Sequence, residues 1–94
     1  MPTEYGLDQN YPNPFNPSTK IEFSIPEPAK VKIIVYNMLG QEIKTLLDEP
    51  KDLGFHFIEW NGKNDVGNQV AAGVYFYRIK ANKYTKVKKM LLLK

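Results

Sequence analysis

The chain is predicted to be all-β: an immunoglobulin-like antiparallel sandwich of about seven strands. Three observations carry this. Apolar residues alternate with polar ones in short runs, as half-buried strands require. Proline, glycine and asparagine punctuate those runs at short, regular intervals. No stretch of ten or more residues spaces its apolar positions as a helix would. Hydrophobic residues at 43% and aromatics at 13% of 94 residues fit one domain with a modest core and argue against disorder.

The first distinctive stretch, Gln9 to Thr19, reads QNYPNPFNPST. Each proline fixes its own φ and pushes the preceding residue out of the helical region, so this segment is neither a helix nor a central strand. Its two large rings, Tyr11 and Phe15, predict a stiff extended strap docked on a neighbouring surface. Residues 7–19 are therefore assigned to a strap, 20–94 to the sandwich and 1–6 to a linker remnant. Met1-Pro2-Thr3 shows no basic-then-apolar leader and reads as the start of an excised domain.

Lys20 to Ile25 alternates with Ile21, Phe23 and Ile25 on one face, and Pro26 and Pro28 end it. Lys30 to Tyr36 alternates again, with Val31, Ile33 and Val35 inward; Ile34 and Tyr36 imply a second face that is partly covered. Asn37-Met38-Leu39-Gly40 forms a turn, Asn37 and Gly40 both suiting positive φ, and leads into a third strand, Gln41 to Leu47. Asp48 to Asp52, containing Pro50, is expected to be a polar loop. Gly54 to Trp60 places His56, Ile58 and Trp60 on one face and Phe55, Phe57 and Glu59 on the other, with Trp60 in the core. A turn-rich connection, Asn61 to Gly73, precedes a strand from Val74 to Ala81 with Tyr75, Tyr77 and Ile79 together. Asn82-Lys83 turns the chain into the last strand, Tyr84 to Leu93.

Composition narrows the function. Without cysteine there are no disulfides, no thiolate catalysis and no sulfur-ligated metal. The apolar run Met90 to Leu93 is far too short to span a membrane. The lone histidine, His56, lies between Phe55 and Phe57, and neither Ser18 nor Ser24 sits in a nucleophile elbow. No catalytic constellation is visible, and no cofactor is expected. Asn61, Asn64, Asp65 and Asn68 offer hard oxygen donors of the kind calcium takes. Their spacing does not match an EF-hand, and turn-forming is the simpler reading. Proline at position 17 bars glycosylation of Asn16. Phe57, Phe76 and Tyr84 are weighed as an aromatic platform for sugars against packing under loops.

All 10 acidic residues lie at or before Asp65, and seven basic residues follow it. The basic last strand suits an anionic or receptor partner, or else protects a sheet edge from aggregation. Nucleic acid is not expected as a partner, since exposed aromatics do not interleave with the lysines. An open terminal strand also leaves a strand-exchanged homodimer as an option.

The segments LDQNYPNPFNPST, KIEFSIPEPAKVKIIVYNMLGQEI, GFHFIEWNGKNDVGNQVAAGVYFYRIKA and KVKKMLLLK, in this order, resemble the C-terminal sorting domain of the type IX, or Por, secretion system of Bacteroidetes. The resemblance runs from Leu7 to Lys94. Its signature residues here are Asn10, Pro12, Asn13, Pro14, Phe15, Asn16, Pro17, Gly40, Gly73 and Tyr75, with Val74 between the last two. It implies an address with no activity of its own. A larger N-terminal cargo passes the periplasm and is directed through the outer-membrane translocon to the cell surface or medium. A sortase-like signal peptidase then cuts near or before residue 7. It implies that Lys88, Lys89, Met90, Leu91, Leu92, Leu93 and Lys94 are read by the translocon, which strand addition at a sheet edge would permit. The rivals are a retained adhesive or glycan-binding module and a structural spacer like the immunoglobulin-like domain of flagellar hook-cap proteins.

Overall fold

A computed structural model describes residues 2–93. Seven strands form two antiparallel sheets: β1 (Gly6–Leu7), β2 (Thr19–Ile25), β3 (Ala29–Tyr36), β4 (Glu42–Lys51), β5 (Gly54–Trp60), β6 (Gly73–Ala81) and β7 (Tyr84–Leu92). The order is β1-β2-β5 in one sheet and β4-β3-β6-β7 in the other. The expected immunoglobulin-like sandwich is what forms, with no helix among the described residues.

The alternation in the sequence is the core. Ile21, Phe23 and Ile25 of β2 meet Val31, Ile33 and Val35 of β3, Tyr75, Tyr77 and Ile79 of β6, and Met90 and Leu92 of β7, all buried between the sheets. Trp60 sits among them as expected, edge-on to Tyr75 at 5.4 Å. Its Nε1–H donates to the Lys63 carbonyl, so the one polar atom of the indole is satisfied. The second face of β3 is also covered, since Ile34 is buried opposite Arg78.

Three local expectations change. The polar stretch Asp48 to Lys51 continues β4 in place of a loop, with Pro50 opposite Lys30. Proline is tolerated there because β4 is an edge strand with one neighbour, and the missing N–H costs no ladder bond on the open side. Asn37 does not need positive φ: its Oδ1 accepts from Leu39 N and Gln41 N, while Gly40 alone bends the turn at φ +81°. Packing also begins upstream of residue 7. Gly6 pairs with Ser24, and the Tyr5 ring stacks on Tyr84 at 5.1 Å.

Candidate functional site

The strap and the last strand, which lie at opposite ends of the described chain, form one structure. Tyr11 exchanges two backbone hydrogen bonds with Lys20, fixing the strap to the three-stranded sheet (2.8 and 2.9 Å). Four residues later it has crossed to the four-stranded sheet. Phe15 N donates to the Leu91 carbonyl at 3.0 Å, and Leu93 N donates to the Phe15 carbonyl at 2.8 Å. Asn13 Oδ1 accepts from Leu91 N, and Gln9 Nε2 donates to the Lys89 carbonyl. The segment thus bridges the two sheets and occupies the outer edge of the end of β7 and the residue after it, from Lys89 to Leu93.

Side chains anchor this crossing. Phe15 is 1% exposed and lies 5.7 Å from the Trp60 ring, tilted against it. Tyr11, in contrast, is 80% exposed, so the expected docking of both rings holds for Phe15 only. Pairing with Lys20 by backbone turns the Tyr11 side chain to the same outward face as that lysine. Asn10 is fully enclosed: its Nδ2 donates to Thr19 Oγ1 and the Pro12 carbonyl, and its Oδ1 accepts from Gln9. The Tyr77 hydroxyl rises from the core, accepts from Asn10 N and donates to the Asp8 carbonyl. Burial pushes the Tyr77 phenol up to about 12, outweighing the opposite effect of the Asn10 N–H. Burial also raises Tyr75 and Tyr84. The Asn10–Thr19–Tyr77 link joins residues far apart in the chain, and strand periodicity carries no signal for it.

The remaining signature residues lie around this junction and in turns. Pro12, Asn13, Pro14, Asn16 and Pro17 are exposed along the strap. Gly62 (φ +75°) passes beneath it, where an added Cβ would stand 3.3 Å from the Pro17 carbonyl and against Leu92. Gly73 starts β6 at φ +144°, and Tyr75 Oη donates to the Ala71 carbonyl.

The tail separates into two sets. Met90 and Leu92 belong to the core, at 1% and 3% exposure. Lys89, Leu91 and Leu93 are exposed, Lys88 is half-buried, and Lys94 lies outside the described residues. The open terminal edge expected for strand addition or strand exchange is not present at Lys89 to Leu93, because the strap already holds it.

The other candidates do not converge. Asn64 Oδ1 accepts from Val66 N and Asn68 N, and Asp65 Oδ1 accepts from Thr45 N beside Lys44 Nζ at 3.8 Å. Those two oxygens hold the connection after Asn61 in place; its positive-φ positions are the glycines Gly62 and Gly67, with Gly73 where it ends, not the asparagines. His56 Nε2 contacts the Asp52 carbonyl at 2.8 Å, and its ring stacks on Phe23. Phe57 points out of the three-stranded sheet with Lys20 over its ring. Phe76 points out of the four-stranded one, and Tyr84 is stacked on Tyr5, so the three rings make no common platform.

Residues 11–85 match the FlgD Ig-like domain family. The chain belongs to that family. Among solved structures this FlgD-type domain is similar to part of the dimeric latent PorU of Porphyromonas gingivalis. The TM-score is 0.72 at 21% identity, over 96% of this chain and 9% of that one. It is also similar to part of PorZ, an essential surface component of the type IX secretion system of the same bacterium. Here the TM-score is 0.58 at 16% identity, over 96% of this chain and 11% of that one. The chain thus spans about a tenth of either protein's length, and the likeness is one of fold. No curated protein matches it in sequence.

Proposed function

We propose that this domain is a non-catalytic sorting signal that directs an attached cargo through the outer-membrane type IX translocon to the cell surface or medium. The observation that carries the reading is the pairing of QNYPNPFNPST with KVKKMLLLK. They belong to the first and last of the four segments by which the chain resembles sorting domains, and in the fold they are hydrogen-bonded to each other. The fold shared with PorU and with PorZ, whose own role is in this secretion system, supports it. In this reading the cargo precedes β1, transit runs through the periplasm, and a sortase-like signal peptidase acts upstream of the strap. The exposed tail residues Lys89, Leu91 and Leu93 meet the machinery, while Met90 and Leu92 hold the strand in register.

The test is a fusion of residues 1–94, which keeps Tyr5 and all of β1, behind a signal peptide and reporter, expressed in a bacterium that has this secretion system. Export of the intact fusion supports the proposal, and retention in the periplasm sinks it. The tail is best probed by Lys89→Glu with Leu91→Asp, since deleting Lys88 to Lys94 would also remove two core side chains. Normal export of that double variant would move the recognition site elsewhere.

A structural spacer is the second reading. It is favoured by the family match, which covers residues 11–85 and leaves out the end of β7. A spacer fusion would stay in the periplasm whatever its tail.

A further inference from the structure

The strap occupies the outer edge of the end of β7 and of Leu93 just beyond it, and Met90 and Leu92 are in the core. What the tail still offers a partner is therefore its outward side chains, Leu93 beyond the end of β7 and the pair Lys89 and Leu91 within it. Antiparallel partners share a face, so the register shows what lies beside them: Leu91 is opposite Val74, and Lys89 is opposite Phe76. Phe76 is in turn opposite Tyr36 of β3, and the Arg78 guanidinium lies over the Tyr36 ring at 5.2 Å. Met38, 71% exposed at the tip of the β3–β4 hairpin, helps line a groove of about 350 Å³ with Tyr36, Phe76, Arg78 and Val87. The tail thus forms one border of a larger apolar surface on the outer face of the four-stranded sheet.

The charge on that face has a sign. Lys30, Lys32, Arg78, Lys80 and Lys89 project from it, with Lys32 directly opposite Lys80, a like-charged pair that the sheet holds at a cost. The carboxylates on the same face, Glu42 and Asp48, are both on the far edge strand β4, and Asp48 is drawn to Lys30 at 3.6 Å. Arg78 is the charged side chain that lines the groove itself; beside it Lys89 is opposite Phe76 and Glu42 is opposite Tyr36, so positive charge predominates on the side of β6 and β7.

We propose that this face, with Tyr36, Met38, Phe76 and Arg78 continuous with Lys89 and Leu91, docks a segment of the secretion machinery that carries apolar side chains flanked by carboxylates. The inference rests on the sorting reading above and deepens it: the signal is a folded surface to which β3 and β6 contribute as much as the tail. Apolar side chains fill the groove, and carboxylates meet Arg78 and Lys89.

The test uses the same reporter fusion with surface variants, each checked for an unchanged thermal midpoint in the purified domain. Met38→Asp and Arg78→Glu, both at exposed positions, are expected to lower export at least tenfold, whereas Arg78→Lys, which keeps the charge, retains most of it. Phe55→Ser with Phe57→Ser, on the opposite sheet, is expected to export like the intact fusion. If the intact fusion is exported and Lys89→Glu with Leu91→Asp blocks it, but Met38→Asp and Arg78→Glu do not, recognition is confined to the tail. The docking face is then refuted while the sorting reading stands. Equal losses from the Phe55 and Phe57 variant would also refute it. Failure of the intact fusion to leave the periplasm would overturn both.

Discussion

Along one side of the sandwich, where β1 and β7 form the sheet edges, the segment from Gln9 to Phe15 hydrogen-bonds to both sheets. Along the other, where β4 and β5 form the edges, Asp65 takes up only the Ile43 carbonyl and the Thr45 N–H. The remainder of β4 carries Asp48, Glu49, Pro50 and Lys51, and β5 turns Phe55 and Phe57 to solvent. The closed side is held by buried, directional contacts: Phe15 against Trp60, and Asn10 with Thr19 and Tyr77. The open side is kept from pairing by charge and by proline, which need no partner. Sensitivity to substitution should follow that division.

The largest expected effect is at Phe15. Truncation to Ala removes a fully buried ring beside Trp60, and Phe15→Ala is expected to cost about 3–5 kcal/mol, read as a lower denaturant midpoint. A loss under 1 kcal/mol would mean that the strap is not the element that closes the sandwich. Asn10→Ala comes next, because Thr19 Oγ1 and the Pro12 carbonyl each lose a donor in an enclosed site. About 1–3 kcal/mol is expected, again by denaturant unfolding.

Tyr77→Phe sharpens the comparison through pH. The Tyr77 phenol is about 12 in the folded chain against 10.0 for the ordinary side chain, so the folded state holds the proton more tightly than the unfolded one. The stability this contributes is complete below pH 10 and is lost as pH rises through the interval to about 12. A pH series of unfolding midpoints should fall across that window and be flatter for Tyr77→Phe. Equal slopes would show that another group titrates there. The smallest effect belongs to the open side: Phe57→Ser, at a position 60% exposed, should change stability by no more than about 0.5 kcal/mol.

Strand positions and their buried faces could be read from the residues because alternation is a local property. Each side chain of β2, β3, β5 and β6 is placed by its neighbours two residues away. The same locality sets what a single segment cannot encode. Pro50 reads as a loop residue because nothing in its own segment reveals that β4 has one neighbour. Tyr11 and Phe15 look equivalent in QNYPNPFNPST, yet one is outside and the other in the core. Only the crossing from Lys20 on one sheet to Leu91 on the other decides between them.

The end of the chain shows the same limit. Residue pattern is enough for the sandwich, the strap, the inward faces of β2, β3, β5 and β6, and a basic, leucine-rich last strand. Tertiary structure alone decided that the strap lies on that strand's edge, that Met90 and Leu92 are core, and that Lys89 and Leu91 share a face with Phe76 and Tyr36. Hydrogen-bond partners and cross-strand neighbours are set by register between distant segments, and periodicity within one segment cannot encode them.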